Sequence, residues 1–508
     1  MRGAVSGGGQ VRVLHVSSGF RPWLVNGLVT YAEDLMQAQV DDGHQVACFF
    51  PGRQYPVFTR PRLHRWSRGG VRMYEWLNSP IVVGALRGTA DPERELADRG
   101  SEEQLREVLV EFAPEVVHVH DLGGLPSSLL DVVHAAGVPL AMSLHDYLVL
   151  CPTVRLYDAE GENCLRTEPG PMCAVCCRDA PMDNAEIRQR TIGFEGRRAA
   201  GFVPGLLGAL DSPAVARVAT GLSRRVASEA SPRAPEGVAV EPGPHTSPDA
   251  YQRRRDVNLE RLNRCDALLA PSRRVVEVYE ALGVRRDRLR HLRTTVSHLE
   301  RLTPRRIEVS GTIRFGVLNA FVSPEKGSLL MLDVLDRLRG QGLGGRFELV
   351  VGGEIAPDLR GRLGAHEEVR LLGPYTAASL DGLLDRVDVG IVPSVWEEIL
   401  GFVGLEFLAK GIPVIGNARG GIVDYTRDGE TGWLNRSASA QELASIMAGI
   451  IACPDQIARL NEQLLSAEVR AGFVTPMAQH ASEVQGLYEE LSRDRPAPRR
   501  ATPARGSR

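Results

Sequence analysis

The sequence predicts an α/β protein built from two Rossmann-like, doubly wound domains that face a cleft. Three observations predict it. Between residues 11 and 50 the chain runs from an apolar strand through a Gly/Pro-containing loop and a helix to a second strand, the opening of a doubly wound sheet. After about residue 303 a second series of short apolar strands alternates with helical patterns. A length of 508 residues exceeds one compact domain and suits two domains plus tails.

In chain order, residues 11–16 read as a buried strand and 28–40 as a helix stopped by Asp42-Gly43, with a second strand at 45–50. Further strands are expected at 116–119, 139–143 and 266–270, the last leading through Pro271-Ser272 into a helical stretch. In the second half the strands are 313–318, 347–351, 369–372, 387–392 and 413–415, separated by helices at 327–338, 357–363, 377–385 and 402–409. A hinge is expected near 296–310. The chain therefore divides into a flexible start (1–10), a first domain (11–300) with an irregular segment at 150–260, a second domain (301–475), a helix crossing back to the first domain (476–492) and a basic tail (493–508). Residues 231–249 are Pro-rich and read as a mobile loop, and the tail, with six arginines, reads as disordered.

Composition excludes several classes. A net charge of -3 gives no electrostatic case for nucleic acid. The Gly-rich start has no apolar segment of a secretory signal, and no apolar run approaches the roughly 18–20 residues that span a bilayer. A cytoplasmic protein is expected, with peripheral membrane contact through the Arg-flanked apolar piece 202–210 as one further reading. Arginine replaces lysine almost everywhere. Only Lys326 and Lys410 are present.

The most informative stretch is Pro393-Ser394-Val395-Trp396-Glu397-Glu398-Ile399-Leu400-Gly401-Phe402-Val403-Gly404-Leu405-Glu406. It leaves a strand, crosses a loop and enters a helix that is apolar on nearly every side. Glu406 should therefore be buried, and a buried carboxylate needs hydrogen-bond donors. No arginine in register is evident, so a hydroxyl-rich ligand is the natural partner, with a carboxylate paired across the core as the alternative. Lys326, in Ser323-Pro324-Glu325-Lys326-Gly327, stands where a strand gives way to a helix, and a cation beside free backbone N–H groups suits a diphosphate.

P-S-x-W-E-E-x-x-G-x-x-x-x-E, with Lys410-Gly411-Ile412-Pro413-Val414-Ile415 and Gly420-Gly421 following, resembles the E-x7-E signature of the retaining glycosyltransferases of family 4. The resemblance runs from about residue 11 to about 450 and is weakest between 179 and 255. It implies a GT-B enzyme that moves a sugar from a nucleotide-diphosphate sugar to an acceptor, which may be named only by class: surface glycan, lipid or specialised metabolite. It implies no required cofactor and no catalytic metal. A GT-B epimerase or pseudo-glycosyltransferase is one alternative, and a catalytically weak nucleotide-sugar-binding protein is another.

By the same resemblance Glu406 accepts from the ribose diol, Glu398 lies near the transferred sugar, and backbone N–H groups of Gly401, Phe402 and Val403 face sugar or phosphate. Lys326 contacts the diphosphate, and Gly27 lets the first-domain backbone approach it. Glu398, His120 and Lys326 form the expected catalytic set. His120 is preferred over His118, on the expectation that alternation turns His118 to the opposite face. Asn26, His145 and Asp146 are expected on the acceptor side. The family's Gly-Arg five residues before the lysine is Ala320-Phe321 here, so half of the diphosphate clamp is missing or replaced, with Arg419 as a candidate. Cys151, Cys164, Cys173 and Cys176 have a spacing that would suit a structural zinc, with reduced buried thiols as the other reading.

Overall fold

In the computed structural model the chain is described over residues 10–200, 247–309, 311–319 and 321–493. The flexible start, the apolar piece 202–210, most of the Pro-rich loop, Ala320 and the tail from 494 lie outside the described residues. The first sheet holds β1 (Arg12–Val16), β2 (Gln45–Pro51), β3 (Arg62–Arg68), β4 (Val71–Leu77), β5 (Val116–Val119), β6 (Leu140–Ser143), β7 (Ala267–Ala270) and β8 (Leu289–His291). Their order is β3-β4-β2-β1-β5-β6-β7-β8. Only the β3–β4 pair is antiparallel. The second sheet is β11-β10-β9-β12-β13-β14, from β9 (Ile313–Val317), β10 (Phe347–Gly352), β11 (Val369–Gly373), β12 (Val389–Val392), β13 (Val414–Asn417) and β14 (Gly432–Asn435). All its pairings are parallel.

The central parallel strands are covered on both faces. The central ones, such as β5 and β12, are buried at every position, so they appear in sequence as unbroken apolar runs. In each sheet the order reverses beside one strand: β1 lies between β2 and β5, and β9 between β10 and β12. Loops leaving opposite sides of such a point part and open a crevice. The segments after β9 and β12 carry Lys326 and Glu398, so this topology brings two positions 72 residues apart to one place.

Three departures from expectation have local causes. The β3–β4 hairpin turns at Gly69-Gly70, both at positive φ (55° and 86°). β3 is an edge strand exposed at most positions and rich in arginine, so it offers no apolar run to detect. β8 and β14 have three and four residues. β12 starts at Val389 and not at 387, because Asp388 is tied by its carboxylate to the Arg314 backbone and guanidinium at the strand entrance.

The helix Met477–Arg493 lies against the helix Gly27–Asp41 of the first sheet. The Tyr31 hydroxyl is 2.8 Å from His480 Nε2, and the Tyr488 hydroxyl is 2.6 Å from His118 Nδ1. Two ion pairs cross the cleft: Arg274 with Glu397 at 2.7 Å and Arg155 with Glu325 at 2.9 Å. Among the described residues no single helix is long and apolar enough to cross a membrane.

Candidate functional site

A cavity of about 770 Å³ opens between the two sheets. Its second-domain wall includes Lys326, Trp396, Glu398, Gly401 and Phe402; its first-domain wall includes Asn26, Gly27, His145 and Asp146.

Lys326 ends a short 3-10 turn, Pro324–Lys326, and the helix Ser328–Gly340 follows. Gly327 between them sits at φ 86°, and a Cβ there would come 2.1 Å from the Pro393 carbonyl oxygen. Only glycine allows the two loops to approach this closely. The lysine Nζ then reaches both oxygens of Glu398, at 3.1 and 3.3 Å. It also stands 4.8 Å from the centre of the Trp396 ring. Trp396 Nε1 donates to Glu398 Oε2 at 2.8 Å, so the carboxylate is held from two sides.

The Glu398 segment is fixed from below by Gly420-Gly421. The Gly421 N–H donates to the Glu398 carbonyl at 2.6 Å. A Cβ on Gly420 would lie 1.9 Å from that same oxygen, which is why the paired glycines follow the E-x7-E segment at this distance. Glu397 accepts from the Gly420 N–H at 3.2 Å as well as from Arg274.

The helix Phe402–Ala409 begins at Gly401, which is at φ 77° and supplies no side-chain cap. Its first N–H groups therefore lack intrahelical acceptors, and its N-terminal residues Gly401 and Phe402 border the cavity. Val403 and Glu406 are not on that wall. Glu406 is 6% exposed. Its Oε1 is 2.8 Å from His298 Nε2, and its Oε2 has no partner. The expectation of a carboxylate satisfied only by a ligand is thus corrected in part. A histidine from the linker takes one oxygen, and the other stays unmet.

On the first domain, Asn26 caps the helix Gly27–Asp41, its Oδ1 accepting from the Val29 N–H at 2.8 Å. Gly27 faces Phe402 across the cleft, at 3.4 Å from the position of a Cβ. His120 is 2% exposed and is not part of the cavity wall. It lies behind His145, whose Nε2 is 3.4 Å from His120 Nδ1. The expected separation of His118 from His120 is wrong. Residues two apart on a strand share a face, and the two rings are 4.2 Å apart. His15 completes the group, with Nδ1 2.8 Å from His120 Nε2 and Nε2 2.7 Å from Gln39 Oε1. Burial keeps these imidazoles neutral, lowering His15 to about 4 and His145 to about 3.

Asp146 follows β6 and Asp121 follows the adjacent β5, and both border the cavity. Burial, and then the neighbouring Asp121, push Asp146 up to about 8. Asp121 is raised by burial too. Sequence reasoning missed Asp121, although it directly follows His120, and missed His298, Glu397 and Arg274 because no spacing motif links them.

Two further expectations meet the structure differently. Phe321 is fully buried, bridges to Ile355 and does not line the cavity. Arg419 donates to its neighbour's carbonyl, Ala418, at 3.0 Å and does not line the cavity either. All eight cysteines are free. Among the described residues the metal-type ligand atoms gathered within 4.8 Å of one another are those of His15, His118 and His120. Cys151, Cys164, Cys173 and Cys176 are not gathered in that way. Burial raises the thiols of Cys173 and Cys176, which suits protonated core residues.

Comparison with known proteins gives consistent matches. The family described as "Glycosyl transferase 4-like domain" matches residues 26–166, and "Glycosyl transferases group 1" matches residues 313–452. A D-inositol 3-phosphate glycosyltransferase of Catenulispora acidiphila is 27% identical over 168 residues, 33% of this chain and 38% of that protein. A phosphatidyl-myo-inositol mannosyltransferase of Mycobacterium leprae is 26% identical over 180 residues, 34% of this chain and 46% of that protein. These alignments span less than half of the curated relatives' lengths. Among solved structures, Anabaena HepE in complex with UDP and glucose superposes with a TM-score of 0.55 at 13% identity, covering 94% of this chain and all of that one. Sucrose-phosphate synthase from Thermosynechococcus elongatus gives 0.57 at 14% identity, covering 96% of this chain and all of that one.

Proposed function

We infer that this chain, which belongs to the family 4 glycosyltransferases of GT-B fold, transfers a sugar from a nucleotide diphosphate to a nucleophilic acceptor with retention of configuration. The observation that carries the reading is Glu406. It is a buried carboxylate with one oxygen unmet, one turn inside a helix whose open N-terminus borders the cavity beside Lys326. Vicinal hydroxyls of a ribose are the chemistry that satisfies such an oxygen without placing another charge in the core.

In this reading Lys326 and the N–H groups of Gly401, Phe402 and Val403 take the diphosphate and adjacent sugar. Glu398, held by Lys326 and Trp396, meets the hydroxyls of the transferred sugar. Gly27 lets the first-domain backbone close on the phosphates. His120 acts only through His145, which reaches the cavity. The departing phosphate accepts the acceptor's proton, so no dedicated base is assigned. The similarity to a UDP-binding structure makes UDP-sugars the first donors to test. No metal or cofactor enters the reading, and free cysteines fit a reducing, cytoplasmic setting.

One observation favours a second reading. Where the family carries a diphosphate-binding arginine, this chain has a core phenylalanine, and Lys326 is already engaged by Glu398. A nucleotide-sugar-binding protein with little turnover is consistent with that. Incubating the protein with UDP-, GDP-, ADP- and TDP-sugars and a panel of hydroxylic acceptors separates the two. The transferase reading expects a glycosylated product whose anomeric configuration, read by proton NMR, matches the donor. Inversion contradicts retention, and saturable binding without product supports the binding protein.

A further inference from the structure

We propose that the acceptor end of the cavity takes a molecule with an apolar body and a protonated amine, the amine held by Asp121 and Asp146. The assignment of acceptor and donor ends rests on the donor reading above.

The first-domain wall beyond Gly27 is largely aliphatic, with Ile81, Val83, Leu125, Val149, Val154 and Ile187 facing the space. Ligand sites of this kind bind by apolar contact and take their specificity from a few placed polar groups. The wall also carries Gln54, Glu95, Glu186, Arg190, Arg254 and Asn258, but Glu95 pairs with Arg254 and Glu186 with Arg87, which leaves Asp121 and Asp146 as its two carboxylates without a cation. Adjacent parallel strands deliver them side by side, and among the described residues neither makes an ion pair. Backbone N–H groups donate to both, Gly123 to Asp121 and Leu148 to Asp146, at 2.9 and 2.8 Å. Trp23 adds an independent sign of an unfilled contact. It lines the same wall, is 5% exposed, and its Nε1 has no partner.

Charge bookkeeping favours a cation. Of the cavity's basic side chains, Lys326 is engaged by Glu398 and Arg254 by Glu95. Arg190 stands over the Trp23 ring. A nucleotide diphosphate would bring further negative charge into a space where, among the described residues, Asp121 and Asp146 already outnumber the one unpaired cation, Arg190. Burial first, and the neighbouring Asp121 second, raise the affinity of Asp146 for its proton. A hard divalent cation wants about six oxygen ligands, which aliphatic walls do not supply. An ammonium needs only the two carboxylates, and its apolar body fits the walls.

Three probes that share one body isolate the charge: octyl 2-amino-2-deoxyglucoside, its N-acetyl derivative and octyl glucoside. Each is titrated calorimetrically at pH 7.5, with and without saturating UDP. The amine should bind tighter than both neutral analogues by about tenfold or more. Asp146→Asn and Asp121→Asn should each bring the three toward parity while melting cooperatively. Equal affinities in the unsubstituted protein overturn the proposal, as does a response to magnesium with none to the amine. UDP titrated alone keeps the two readings apart. Amine discrimination without UDP binding sinks the donor reading and leaves this one standing, and UDP binding with parity among the probes does the reverse.

Discussion

Asp146 shows most plainly how a single residue records what the site is for. Burial beside Asp121 raises it to about 8, whereas the unfolded chain has an ordinary aspartate near 3.9. A carboxylate with a raised folded pKa holds its proton more tightly when folded. Its unfavourable contribution is therefore absent below the unfolded value and grows as pH rises toward the folded one. Asp146→Asn should raise the melting temperature at pH 8, and the gain should vanish near pH 4. For a domain of 150–250 residues each kcal/mol corresponds to about 2–4 °C, so scanning calorimetry at the two pH values resolves it. A melting temperature unchanged or lowered at pH 8 contradicts the placement of this carboxylate. Glu398 differs in its partners, accepting hydrogen bonds from both Lys326 and Trp396. The two acids face one cavity with opposite degrees of compensation.

At the scale of elements, the C-terminal helix Met477–Arg493 is joined to the first sheet through neutral imidazoles. His118 pairs with Tyr488 and Ser143, His480 with Tyr31, and His15 with Gln39 and His120. None of these partners is a charged group. Burial lowers His15 and His480 to about 4 and His145 to about 3, and lowers His118 and His120 as well. With unfolded values near 6.5, the unfolded chain binds more protons between about pH 6.5 and 4. Stability is thus fully present above pH 6.5 and falls as acid is added through that window. Thermal melts from pH 8 to 4 should show this loss. At pH 7.5 Tyr488→Phe should cost about 1–3 kcal/mol, since it leaves buried His118 Nδ1 unpaired. Melts independent of pH over that range, or an unaltered variant, contradict the account. The parallel strands and the helix Phe402–Ala409 were legible because burial on both faces writes a continuous apolar run. The edge hairpin β3–β4 was not, because its exposed strand carries arginines in place of such a run. His118 was misassigned through a mistake of parity.

For the whole molecule, the cleft is closed by a few long-range contacts. Among the described residues they include Arg274 to Glu397, Arg155 to Glu325, Asn163 to the Val395 carbonyl, the Arg273 N–H to Asp424, and the returning C-terminal helix. Glycines at 327 and 420 let the loops after β9 and β12 stack so that Lys326 and Glu398 meet. The E-x7-E segment made the second-domain wall readable from sequence, because Trp396, Glu397, Glu398 and Gly401 each have a local geometric duty. The first-domain wall was less readable, since it is assembled from short pieces near 81, 121, 146 and 187 that share no motif. The central claim is that the second domain receives a nucleotide diphosphate through Lys326 and the helix N-terminus at Gly401 on the cavity wall, with Glu406 one turn behind that N-terminus taking the ribose. Calorimetric titration of UDP, GDP, ADP and TDP into the protein and its Glu406→Ala variant tests it most directly. The account predicts saturable binding of at least one nucleotide, weakened by roughly ten- to hundredfold in the variant through loss of a charged hydrogen-bond acceptor. Equal affinity in the two proteins, or no binding of any of the four, would contradict it.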